Sequence, residues 1–129
     1  MKQVTLEALI ERKQKAQLCT MQTKEVEIPL LNMKVTVVKQ PLTRVLRVMD
    51  DYKDLTKLSS QYELYKEIIY MSVPLFQNEE LHSAYECAEP MDVISRVLED
   101  NIDAISSLGE AIISMYGIGD NKAVQDLKN

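Results

Sequence analysis

One histidine, three glycines, two cysteines and no tryptophan leave this 129-residue chain short of the parts from which most catalytic and cofactor sites are built. Zinc sites draw three or four ligands, mostly from His and Cys. The lone His82 has only Glu79, Glu80 and Glu86 beside it, the ordinary spacing of a solvated helix face. Cys87 lies five residues on from His82, so on a helix the two point about 140° apart and form no nucleophile pair. The glycines stand at 109, 117 and 119, which excludes a glycine-rich phosphate loop. Cys19 and Cys87 show neither a disulfide framework nor a zinc spacing and are read as small buried hydrophobes, reduced in an intracellular protein. No apolar run approaches the ~20 residues of a membrane span. The opening residues MKQVTLEALIERKQK lack the apolar core of a signal peptide.

What is present is a globular composition. The hydrophobic fraction is 46% and the charged fraction 27%, values that suit one folded domain. The net charge is −5, whereas phosphate binding needs dense Lys and Arg to displace counterions. Arg12, Lys13 and Lys15 do cluster, but Glu7 and Glu11 sit among them. Neither nucleic acid nor membrane is expected as a partner. Asp50, Asp51 and Asp54 form the densest carboxylate group. A calcium loop requires a glycine for its turn, and here Lys53 and Lys57 offer helical i,i+3 partners instead. Ser59 and Ser60 have no base nearby in sequence. No catalytic, cofactor-binding or metal-binding residue is assigned, no cofactor is expected, and the chain is not read as an enzyme.

The pattern along the chain predicts an α+β fold, mainly α, with one β-hairpin in the N-terminal half packed with about five or six short helices. Thr5 caps a helix over 5–18 whose apolar positions Leu6, Leu9 and Ile10 make a short stripe, too short for strong docking. Over 25–39, Val26, Ile28 and Leu30 and then Val35 and Val37 alternate with polar residues around a turn at Leu31-Asn32, which reads as a hairpin. Pro29 marks its strand as an edge. A lone hairpin is marginal in water, so it must lie on helices or pair with another subunit.

Helices are expected through 42–118. Leu42, Val45, Leu46, Met49 and Tyr52 carry the first stripe. Ser60-Gln61-Tyr62-Glu63 fits a capping box, opening a helix whose Tyr62, Tyr65, Ile68, Ile69 and Val73 make it the central core element, ended by Pro74. Asn78 with Glu79 and Glu80 starts a short helix. Pro90 suits the first position of the next, where Met91, Ile94, Val97 and Leu98 share a face. Asn101 or Asp103 caps the last, lined by Ile102, Ile105, Leu108, Ile112, Ile113 and Tyr116 and ended by Gly117 and Gly119. Residues 1–118 make one domain, and 119–129 a polar tail. Six tyrosines, at helical positions such as 62, 65, 85 and 116, and several methionines are assigned to core packing.

The order of these pieces carries a resemblance. A TLEAL helix, the hairpin VEIPLLNMKVTVVKQPL, the helix RVLRVMDDY, the phrase VPLFQNEELHSAYECAEPMDVISRVLED, the helix ISSLGEAIISMYG and a terminal LKN follow one another. This order resembles the tail assembly chaperones of tailed phages and prophages of Gram-positive bacteria. The matching positions are Pro74, Leu75, Glu80, Leu81, Pro90, Asp92, Val93, Gly117, Leu127, Lys128 and Asn129. The resemblance implies a non-enzymatic protein of the bacterial host's cytoplasm that binds the long, aggregation-prone tape measure protein until the tail tube polymerises around it. It also implies a longer product, made by translational frameshifting after Gly119, whose extension recruits the tail tube protein.

A chaperone of this kind needs adaptable apolar surface, usually multiplied by self-association into a homo-oligomer. Leu6, Leu9 and Ile10 are the candidate partner-binding residues; Val26, Ile28, Val35 and Val37 are the candidates for self-association. A largely helical client suits helix-in-groove contacts. The competing expectation is a small intracellular helical adapter or regulatory protein-interaction domain.

Overall fold

A computed structural model describes residues 3–18, 22–52 and 54–118, with the backbone alone for 14–18. Cys19, Lys53, Gly119 and the polar tail lie outside the described residues. The fold is mainly helical, with one antiparallel hairpin and six α-helices among the described residues.

Local signals set most of the boundaries. Helix α1 (Leu6–Leu18) starts where Thr5 Oγ1 accepts the Ala8 N–H at 3.2 Å. The hairpin joins β1 (Thr23–Ile28) to β2 (Met33–Val38) in one uninterrupted register from Thr23↔Val38 to Ile28↔Met33. Its turn corrects the expected strand: Pro29–Leu31 form a 3-10 turn, so Leu30 leaves the alternation and Pro29 is not a strand residue. Proline's fixed φ suits the first position of a helical turn. Asn32 closes the turn at φ 52°, a left-handed conformation that Asn tolerates better than most residues.

Helix α2 (Leu42–Asp50) follows Pro41. Helix α3 (Leu58–Ser72) corrects the predicted capping box, because Ser60 lies inside the first turn and no side chain caps the start at Lys57. The turn before it is held by Asp54, whose Oδ1 accepts the Thr56 N–H at 3.1 Å, and by Gln61, whose amide donates back to the Leu55 carbonyl. With Gln61 tied backward, the helix opens three residues earlier than a Ser60 cap allows.

Asn78 caps α4 (Glu79–Ala84), accepting the Glu80 N–H at 2.8 Å. Helix α5 (Asp92–Val97) begins two residues past Pro90, with Asp92 reaching back to the Glu89 N–H at 3.1 Å. Asn101, not Asp103, caps α6 (Ile102–Ser114) by accepting the Ala104 N–H at 3.0 Å. Gly117 takes φ 76° after it, a backbone position that glycine occupies at little cost.

Helices α3 and α6 form the central pair. Ile68 and Ile69 on one and Ile105 and Ile112 on the other are fully buried, with Val93, Ile94 and Leu98 closing one side. Each such side chain contributes about 1.5–3 kcal/mol by leaving water. The hairpin lays Ile28, Val35 and Val37 onto this core, β1 meeting α6 and β2 meeting the turn at Pro74–Gln77.

The tyrosines act as pegs between elements. Tyr62 Oη is 2.6 Å from Ser95 Oγ. Tyr52 donates to Glu67 Oε2 at 2.6 Å. Tyr116 Oη accepts the Gln40 N–H at 2.7 Å and donates to the Gln40 carbonyl at 2.8 Å, fixing the end of α6 to the β2–α2 link. In each case the ring is at least partly buried while the polar tip finds a partner, the arrangement tyrosine favours.

Candidate interaction surface

Two of the polar side chains that sequence spacing singled out, His82 and Asp54, have structural partners. His82 Nε2 lies 2.6 Å from the Phe76 carbonyl, and its ring stacks on Tyr70 with centroids 6.3 Å apart. This bracket ties α4 to the preceding turn. Asp54 caps a turn, as above. Cys87 is a half-buried free thiol. Among the described residues, no three or more His, Cys, Asp or Glu side chains come together in a metal-ligating group. No helix among them is long and apolar enough to cross a membrane.

The perturbed groups are phenols. Burial, with the Glu110 charge and hydrogen bond, pushes Tyr65 from 10.0 up to about 12. Burial and the bond to Glu67 raise Tyr52 further, and burial raises Tyr116 against the opposing Gln40 bond. The folded chain therefore holds protons that the unfolded chain releases near pH 10. Stability is complete below that pH and is lost as pH rises through the folded values. The expected result is a urea midpoint that is level below pH 10 and falls up to pH 12, with a shallower fall in Tyr65→Phe.

One cluster of exposed apolar side chains lies on α1 and at Val4 just before it. Val4, Leu6, Leu9 and Ile10 are 70%, 74%, 55% and 48% exposed, and every residue from 3 to 13 is classed as exposed. The side chains described on this helix contribute nothing to the core. A helix of this length is marginal alone in water, so a partner that covers its stripe also stabilises the helix.

The hairpin candidates are placed differently. Ile28, Val35 and Val37 are buried in the core and Val26 is half-buried. Their side chains serve this chain's own fold, and what the hairpin leaves open is its two backbone edges.

Sequence reasoning missed a second apolar area. Leu42 and Leu46 on α2 are exposed although their spacing suits a core stripe. Only Val45 of that helix is fully buried, with Val48 and Met49 half-buried. Five apolar residues in nine span more of a helix than one neighbour can cover, and that width was the available signal. Leu42 also lines an open cleft with Val38, Pro41, Met115 and Tyr116, where Lys39 Nζ lies 5.2 Å from the Tyr116 ring centre. No family model, curated protein or solved structure matches this chain.

Proposed function

We propose that the chain is a non-enzymatic tail assembly chaperone that binds the tape measure protein and keeps it soluble until the tail tube forms around it. The observation that carries this reading is the exposed apolar stripe of α1: Leu6, Leu9 and Ile10 stand in water on a helix whose described side chains have no role in the core. Such a stripe matches a helical client, whose own apolar face could lie along it. The order of segments along the chain suggests the family, and the net charge of −5 favours a well-solvated complex. Under this reading the protein works in the host cytoplasm as a homo-oligomer. A longer, frameshifted product would add contacts to the tail tube protein.

The test is co-expression with the long, helix-rich product of the neighbouring downstream gene. The expected result is that the neighbour becomes soluble and co-elutes with this chain on size exclusion. A neighbour that stays insoluble, or that is soluble alone and never co-elutes, removes the chaperone reading and leaves α1 as the contact surface of an adapter.

A further inference from the structure

Within the hairpin Glu27 of β1 stands opposite Lys34 of β2, and each of these residues also faces an open strand edge. Lys39 donates its N–H to the Gln22 carbonyl at 2.9 Å, which makes 22/39 a bonded pair in the antiparallel register. Antiparallel ladders alternate bonded and non-bonded pairs. Lys24, Val26 and Ile28 therefore bond across to β2, while the N–H and C=O groups of Thr23, Glu25 and Glu27 point away from it. On β2 the outward groups belong to Lys34, Thr36 and Val38. Among the described residues, the outward backbone groups of Thr23, Glu25, Glu27, Lys34 and Thr36 have no hydrogen-bond partner, and these five residues are all exposed. Both strands run six residues with neither a proline nor a bulge.

Charged residues on an edge ordinarily protect it from pairing, and like charges on both edges serve that end best. Here the signs are divided: the outer edge of β1 carries Glu25 and Glu27, and that of β2 carries Lys34. Pairing β1 with β1 of another copy sets glutamate against glutamate or wastes the charge on threonine, and like charges directly opposed are destabilising. Pairing β1 with the β2 of a second copy, in the register the hairpin already uses, sets Glu27 against Lys34, Glu25 against Thr36 and Thr23 against Val38. Acid and base then alternate across the joined strands.

We infer that copies of this chain assemble by antiparallel strand addition, the β1 edge of one hairpin pairing with the β2 edge of the next, with Glu27 and Lys34 setting the register. The contact is head-to-tail, so it does not close at two copies. A hairpin is only about 10 Å across, and a packed helix pair is broader. Joined hairpins must therefore curl with their helices on the convex side and the charged face inside. The inference deepens the self-association part of the chaperone reading. It is tested on the chain alone, so its failure is separate from failure to bind a client.

The experiment is light scattering on size exclusion across a concentration series. The wild-type chain is expected to grow beyond a dimer. Glu27→Lys and Lys34→Glu should each shift assembly to at least tenfold higher concentration, since each sets like charges across the new strand pair; each also sets like charges within its own hairpin, so the helical circular dichroism of each variant is compared with that of the wild type. An equimolar mixture of the two variants should assemble again, because each then supplies the sign the other lacks; a defect in folding would not be cured by mixing. Glu25→Pro removes an outward N–H without touching the ladder to β2, and should give a monomer with the helical circular dichroism of the wild type. A wild-type monomer, an assembly that stops at a dimer, or one indifferent to both Glu27→Lys and Glu25→Pro overturns the inference.

Discussion

Replacing Leu6, Leu9 and Ile10 together by glutamine is expected to leave the unfolding midpoint of the chain unchanged and, under the proposed chaperone function, to abolish capture of a helical client. The two halves of this prediction rest on the same fact. These side chains are about half exposed or more, so their removal opens no cavity and uncovers no core neighbour. Glutamine is a straight-chain residue with helix propensity close to that of leucine, so α1 keeps its backbone preference. In the complex, each apolar side chain that is fully covered contributes about 1.5–3 kcal/mol. Losing three corresponds to at least about 10³-fold in affinity. The pair of measurements is a urea titration of the free variant and its co-elution with the client. A fall in the urea midpoint would mean that the stripe packs on the chain's own body. Undiminished capture would move the client surface elsewhere, and the exposed Leu42 and Leu46 of α2 would be the next residues to change.

The elements were legible because their causes are local. Thr5 and Asn101 are short polar side chains immediately before apolar periodic runs, Asn78 stands before the acidic pair Glu79 and Glu80, and each one accepts the amide hydrogen that its position predicts. The hairpin was legible because alternation over β1 and β2 has a period of two, and a one-residue slip would have put Ile28 and Val37 in water. What failed depended on neighbours in space. Ser60 has the sequence context of a cap, but the Asp54–Thr56 turn and the backward reach of Gln61 start α3 at Leu58. Pro29 sits where a strand edge and a helical turn are both possible, and Asn32 decides for the turn.

The stripe of α1 has three apolar positions and that of α6 six, and this difference in length was the signal the sequence carried. Packing covers Ile105 and Ile112 and leaves Leu6 and Leu9 exposed. The same holds for the hairpin. Its alternation identified one apolar face, and the structure gives that face to the core. The division of charge between the two outer edges becomes visible only when the register states which backbone groups point outward.

Gly109→Ala is expected to destabilise the chain although alanine is the better helix former. A methyl group at position 109 would stand 2.4 Å from Cδ1, 2.8 Å from Cγ and 2.9 Å from Cβ of Tyr65. The nearest atoms include the root of the Tyr65 side chain, which is fixed to α3, so the ring cannot clear the space by rotating its far end. Its tip is also held, donating to Glu110 Oε1 at 3.2 Å. Overpacking of this kind costs about 1–3 kcal/mol, while alanine in place of glycine returns about 1 kcal/mol of helix propensity. The net expectation for alanine is a loss of up to about 2 kcal/mol, and for Gly109→Val a larger loss, read as the shift in the urea midpoint. The order glycine, alanine, valine is then the reverse of what the propensity of an exposed helix would give. Combining Gly109→Ala with Tyr65→Ala separates the two effects. With the ring gone, the alanine at 109 should cost nothing and its propensity gain should emerge, a coupling of about 1–3 kcal/mol between the sites. A stabilised Gly109→Ala single variant would mean that α3 and α6 lie further apart than this contact requires.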